Sequence, residues 1–237
     1  AWGMNSFSAA SLSPLFPALT SGRALDVVKI VAAVAMVIDH INHIWWQGSV
    51  TSAYLIGRMA FPLFCFAAAA AIVRMDGAVD KIYKQAGFLL LCALISEPVS
   101  QLTRDPDTVN VLFTLALGLA VAPCMRSFPP VLRVMFYIAA CALMAWSNAW
   151  EFGFAGMMLP VALAGAMMGK HTDMIAAAVL AAFANFGGYG NLDVINPAVV
   201  MIVVLAATAL PLCALWLINQ AYGSTATSQS RLLPRYA

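Results

Sequence analysis

Charge is what this chain has least of. Only 9% of its 237 residues are Asp, Glu, Lys or Arg, while 63% are hydrophobic. A soluble domain carries about a quarter of its residues as charges, so the scarcity excludes a soluble globular protein and leaves a polytopic membrane protein. A net charge of +2 gives no basis for a nucleic-acid partner. Cysteines are few and scattered: Cys65, Cys92, Cys124, Cys141 and Cys213 stand singly in apolar runs. Without a CxxC or Cys/His spacing there is no disulfide framework and no metal centre to expect, only small buried thiols. Internal repeats are lacking as well. The one Gly-rich piece, GGYGN at 187–191, reads as a turn rather than a phosphate cradle. Residues 1–22 lack the continuous apolar core of a cleavable signal and are expected to form an N-terminal tail, lying on the membrane surface.

What the chain does have is apolar length. Hydropathy and turn signals predict spans at 25–46, 54–73, 84–101, 109–125, 131–147, 152–169, 173–186 and 197–219, close to the limit of roughly 25 residues per span plus loop. The predicted fold class is all-α: one transmembrane helical bundle of about eight spans over 23–222, followed by a polar cytoplasmic tail at 223–237. Pro129-Pro130, Gly187-Gly188 and Asn196-Pro197 mark the later boundaries. With eight spans, Arg23, Arg74, Lys81, Lys84, Arg126, Arg133, Lys170, Arg231 and Arg235 fall on one side, and Arg104 lies opposite beside Asp105 and Asp107. The positive-inside rule then puts both termini in the cytoplasm.

The first span is the most unusual. Asp26, Lys29, Ala33, Met36, His40 and His43 follow a 3,4,3,4,3 spacing, which places them on one helical face, expected to look into the protein rather than at lipid. Ionisable groups inside a span are expensive and mark function by default. Orientation then fixes depth. Asp39, His40, Arg58, Glu97, Asn110 and Glu151 converge on the outward half, while Lys29 and Arg74 lie at the inward end. The outer set suits general acid/base chemistry, with Asp39 or Glu97 orienting His40; it equally suits a buried network with Arg58 held by Asp39 or Glu97. His43, beside Trp45 and Trp46, belongs with the interfacial aromatics. The inward cations Arg74, Lys81, Lys84, Arg23, Arg126 and Lys170 either set topology and meet membrane lipids or hold a multiply anionic cytoplasmic ligand.

Several runs together resemble the TraX family of plasmid conjugation proteins, similar in layout to integral-membrane acyltransferases. They are LDVVKIVAAVAMVIDHI (25–41), LIGRMAFPLFCF (55–66), LISEP (94–98), NVLFTL (110–115) and, more loosely, WEFGFAGMMLP (150–160). The resemblance implies an inner-membrane N-acetyltransferase that moves an acetyl group from acetyl-CoA to the N-terminal amine of a conjugative pilin subunit. The motif residues it carries over are Lys29, Asp39, His40, Arg58, Glu97 and Asn110, without individual roles. The expected division of labour places His40 as base, Asp39 or Glu97 as its orienter, Arg58 or Asn110 at the oxyanion, and Lys29 and Arg74 at the donor's phosphates. Lys29 and Asp39 lie about 15 Å apart along the helix, comparable with an extended pantetheine arm. Four other readings stay open: a different part in pilin maturation such as cyclisation or chaperoning, acyl transfer to lipid or glycan, a small-solute carrier, and a proton-coupled carrier. Carriers more often show related halves and broken midplane helices, whereas here the polar residues crowd into the first half.

Overall fold

The computed structural model describes residues 22–75, 78–103, 109–144, 152–186 and 197–232. Within them the chain is helical throughout: α1 Gly22–Trp45, α2 Thr51–Arg58, α3 Ala60–Arg74, α4 Val79–Thr103, α5 Val111–Ser127, α6 Pro130–Met144, α7 Gly153–Met167, α8 His171–Phe186 and α9 Pro197–Leu232. Helices α2 and α3 run on as one rod with a turn at Met59, so the described helices fall on the eight segments expected from hydropathy. Thr51–Arg74, Val79–Gln101 and Leu205–Tyr222 are each long and apolar enough to cross a membrane, and shorter apolar helices accompany them. This is an all-α membrane bundle. Helix α9 continues to Leu232, past the point where the polar tail was expected to begin.

The core is built on α3 and α7. Helix α7 packs against α3, α5, α6 and α8, and α9 closes on α8, α1, α2 and α3. Both central helices are buried on nearly every side, through residues such as Leu63, Cys65, Ala69 and Ile72 on α3 and Ala155, Leu159, Ala162 and Ala164 on α7. In lipid, association depends on close packing rather than on expelling water, which favours small residues at contacts. Gly118 is such a place: a Cβ there would meet the Met157 carbonyl oxygen at 2.6 Å, so α5 lies directly on the α7 backbone. Phe61 of α3 stacks on Phe152 at the start of α7, ring centroids 3.8 Å apart. The outer helices turn Phe88, Ile95, Val131, Ile138 and Ile175 outward, the lipid-facing surface of a membrane protein.

Helix α1 corrects one expectation. Its buried stripe is Ala24, Leu25, Val28, Ala32, Ala35 and Asn42, not the polar series from Asp26 to His43. Lys29 is exposed and bonds Asp26 at 3.1 Å one turn away, and Ala33 and His43 are exposed too. Of the expected inward face, only Met36 and His40 are partly covered. The reason is steric: small side chains let α1 approach α3, and the larger polar ones are displaced to the flank.

Candidate active site

Asp39 continues the buried α1 stripe, since Val28, Ala32, Ala35, Asp39 and Asn42 follow a 4,3,4,3 spacing. Its carboxylate reaches α2 because Gly57 stands opposite; a Cβ at Gly57 would fall on the Asp39 side chain. In that notch Asp39 Oδ2 accepts from Arg58 Nη2 at 3.2 Å, both side chains about one-fifth exposed. Arg58 Cζ also lies 4.9 Å from the centre of the Tyr54 ring, one turn back on α2. Arg58 Nε is buried and without a hydrogen-bond partner among the described residues. A donor left so is costly, and a guanidinium presents its donors as a fixed fork.

His40 is held differently from the expectation. Its Nδ1 lies 2.8 Å from the Met36 carbonyl oxygen. A carbonyl only accepts, so Nδ1 carries a hydrogen in this contact. The backbone of its own helix holds this nitrogen of the ring. Met36, Asp39, His40, Gly57, Arg58, Phe61, Phe64, Val111 and Phe152 are among the residues lining one cavity of about 30 Å³, room for a single small polar group. His40 also lines an open apolar groove along α1 with Val37, Ile41, Ile44 and Trp45, so it stands between the cavity and the lipid side.

Glu97 and Asn110 meet each other rather than His40. Glu97 Oε2 accepts from the Asn110 backbone N–H at 3.2 Å, and its Oε1 accepts from Gln101 Nε2 at 3.3 Å. Asn110 caps α5, its Oδ1 accepting from Leu112 N at 3.1 Å, while its Nδ2 donates to Ser96 Oγ at 2.8 Å. The bonds of Asn110 N and Nδ2 tie α4 to α5, so Glu97 and Asn110 form a joint between helices. Val111, next in the chain, carries that joint to the cavity wall. Glu151 lies outside the described residues, as do Arg104, Asp105, Asp107 and the 187–191 turn. Arg74 is exposed at the end of α3, the same end of the bundle as Lys29.

Sequence reasoning missed three participants. Gly57 was legible only as part of a motif, not as the notch for Asp39. Ser96, with its hydroxyl also donating to the Cys92 carbonyl at 2.8 Å, stood only within the LISEP run. Asn42 is 2% exposed and shapes the α1–α2 turn, its Oδ1 accepting from Val50 N at 3.1 Å and its carbonyl from Gly48 N at 2.9 Å. The 4,3,4,3 spacing through Asp39 would have found it.

A family model described as TraX protein matches residues 24–231. The chain belongs to the TraX family. The TraX match runs from the first helix through the last, well past the NVLFTL piece, and includes each residue of the cavity and of the α4–α5 joint. Comparison with curated proteins and with solved structures gives no match. TraX membership implies a role in conjugative pilin maturation and a pilin-related partner.

Proposed function

We propose that this TraX-family protein is an inner-membrane N-acetyltransferase, taking an acetyl group from acetyl-CoA and delivering it to the N-terminal amine of a conjugative pilin. The observation that carries the reading is the pairing of His40 and Arg58 on one small cavity. His40 Nδ1 donates to the Met36 carbonyl, so in the neutral ring Nε2 is the atom that takes a proton. Arg58 keeps a buried donor on Nε while Asp39 fixes the other branch of its fork.

In the proposed reaction the neutral amine attacks the thioester carbonyl, forming the C–N bond as His40 Nε2 takes the amine proton. Arg58 meets the oxygen where negative charge develops, the contribution that is often largest in acyl transfer. Collapse breaks the C–S bond, and the proton passes from His40 to the leaving thiolate, releasing CoA with its free thiol. An acetyl-imidazole on His40 is the two-step form of the same chemistry. The cavity fits a reacting carbonyl, with the rest of each substrate outside it. The donor enters from the Lys/Arg-rich cytoplasmic end, where Arg74 offers a fork for phosphate; Lys29 contributes less, because its ammonium is committed to Asp26.

The test is a His40→Ala strain. Pilin from it is expected to lack the N-terminal acetyl group by intact-mass spectrometry while the variant protein stays inserted and abundant. Normal pilin acetylation in that strain overturns the reading. Pilin whose abundance depends on the protein but not on His40 identifies a chaperone instead.

A further inference from the structure

The cavity of His40 and Arg58 has two kinds of wall. Its polar side comes from α1 and α2, through Asp39, His40 and Arg58. Its apolar side comes from α3, α5 and the start of α7, through Phe61, Phe64, Val111 and Phe152. A thioester carbonyl placed between them has little choice of direction. Its carbon is planar and carries three substituents: the oxygen, the sulfur and the acyl chain. With the oxygen on the buried Nε of Arg58, the sulfur toward the rest of the donor, and the amine over one face beside His40, the acyl chain is left facing the aromatic side.

Room on that side is short. The cavity measures about 30 Å³, and one water-sized group takes about 10–15 Å³, so a carbonyl and one methyl group fill it. The wall behind is stiff. Phe61 is 3% and Phe152 7% exposed, and their stacked ring planes lie 6° apart. The α7 backbone stands behind both, since a Cβ on Gly156 would meet Phe61 Cζ at 2.9 Å and Phe152 Cβ at 2.6 Å. Neither ring can draw back toward α7. Val111 is fixed from its own side, because the preceding Asn110 is tied to Glu97 and Ser96 of α4. Met36, the flexible side chain of the lining, belongs to α1 on the polar side. Interiors packed this closely feel a single added methylene.

We propose that Phe61, backed by Phe152 and Gly156 and flanked by Val111, is the end wall that limits the donor's acyl group to two carbons. The proposal rests on acyl transfer at His40 and Arg58 and adds to it the length of the donor. An acetyl methyl meets the ring, whereas a propionyl or butyryl chain has to displace a stacked pair held from behind. The bonds are those of the acetyl reaction: C–N forms, C–S breaks, and coenzyme A leaves as its thiol. One methylene in an apolar pocket is worth about 10- to 200-fold in discrimination.

The experiment uses the full chain in liposomes with pilin and an equal mixture of acetyl-, propionyl- and butyryl-CoA. Intact-mass spectrometry reads which acyl group each pilin carries. The measured quantity is the ratio of propionyl to acetyl product, which a loss of folded protein does not move, because both products come from the same molecules. Wild type is expected to favour acetyl by about tenfold or more. Phe61→Leu and, separately, Val111→Ala shorten the wall, and each is expected to raise the propionyl ratio several-fold even where total product falls. A rise in either variant supports the wall. Wild type that uses propionyl as readily as acetyl overturns the proposal, and so does an unchanged ratio in both variants. His40→Ala in the same mixture keeps the two readings apart. Transfer that persists in His40→Ala, or is absent from wild type with every donor, defeats the catalytic reading and the wall with it. Active wild type, inactive His40→Ala and an unchanged ratio in both wall variants defeat the wall alone.

Discussion

Gly57 does more for the cavity than its lack of a side chain suggests. The Asp39 carboxylate occupies the space a Cβ would take, so Gly57→Ala must push Asp39 away from Arg58 and release the guanidinium. Small changes of position at a reacting centre cost rate steeply. Gly57→Ala is expected to lower pilin acetylation by at least tenfold while leaving helix content by circular dichroism unchanged; acetylation within twofold of wild type would mean that the Asp39–Arg58 pair does not position the reaction. Arg58→Lys is the matching substitution on the partner. It keeps the charge but loses the fork that meets Asp39 with one branch and the cavity with another. Acetylation is expected to fall to nearly the level of Arg58→Ala, as read by intact-mass spectrometry of pilin. Full activity in Arg58→Lys would show that charge alone suffices.

At the level of whole helices, their places in the chain were legible and their faces were not. Prolines and glycines announce the boundaries, and the structure starts α6 at Pro130 and α9 at Pro197, where those residues cannot extend a preceding helix. The short span expected at 173–186 is a full 16-residue helix, His171–Phe186. The turn at Met59 was not anticipated. Pro62 has no N–H to give the Arg58 carbonyl, and Met59 N turns to Ile56 O at 3.2 Å instead, which breaks the rod just beyond Arg58. The polar series on α1 misled because polar groups in a span were taken to mark its buried face, whereas small side chains mark it here. The convergence of Asp39, Arg58 and His40 on one place was legible; the separate α4–α5 joint was not, because one-dimensional depth cannot tell which helices are neighbours. That joint carries its own expectation. Asn110→Ala removes the cap of α5 and the bond to Ser96, and a lost cap costs about 1 kcal/mol. A fall of several degrees in the unfolding temperature in detergent is expected, larger than the fall for His40→Ala. Equal unfolding temperatures would return Asn110 to the chemical site.

Over the whole molecule the same device appears at both ends. A carboxylate enters a glycine notch on a neighbouring helix and takes an arginine: Asp39 with Gly57 and Arg58 on one side, Asp173 with Gly165 and Arg133 on the other. The two pairs differ in enclosure. Asp39–Arg58 is partly open and lines a cavity, whereas Arg133–Asp173 is enclosed. The sequence hid the second pair because Arg133 reads as one more positive-inside cation and Asp173 as a helix start. Removing one member of an enclosed pair strands a charge and costs about 3–5 kcal/mol, while replacing both with apolar residues is often neutral or stabilising. Asp173→Leu alone is therefore expected to unfold at much lower temperature than wild type. The double variant Arg133→Met/Asp173→Leu is expected to recover most of that loss. Thermal unfolding in detergent compares the two variants with wild type. A double variant no more stable than Asp173→Leu would mean that the pair does more than hold α6 to α8.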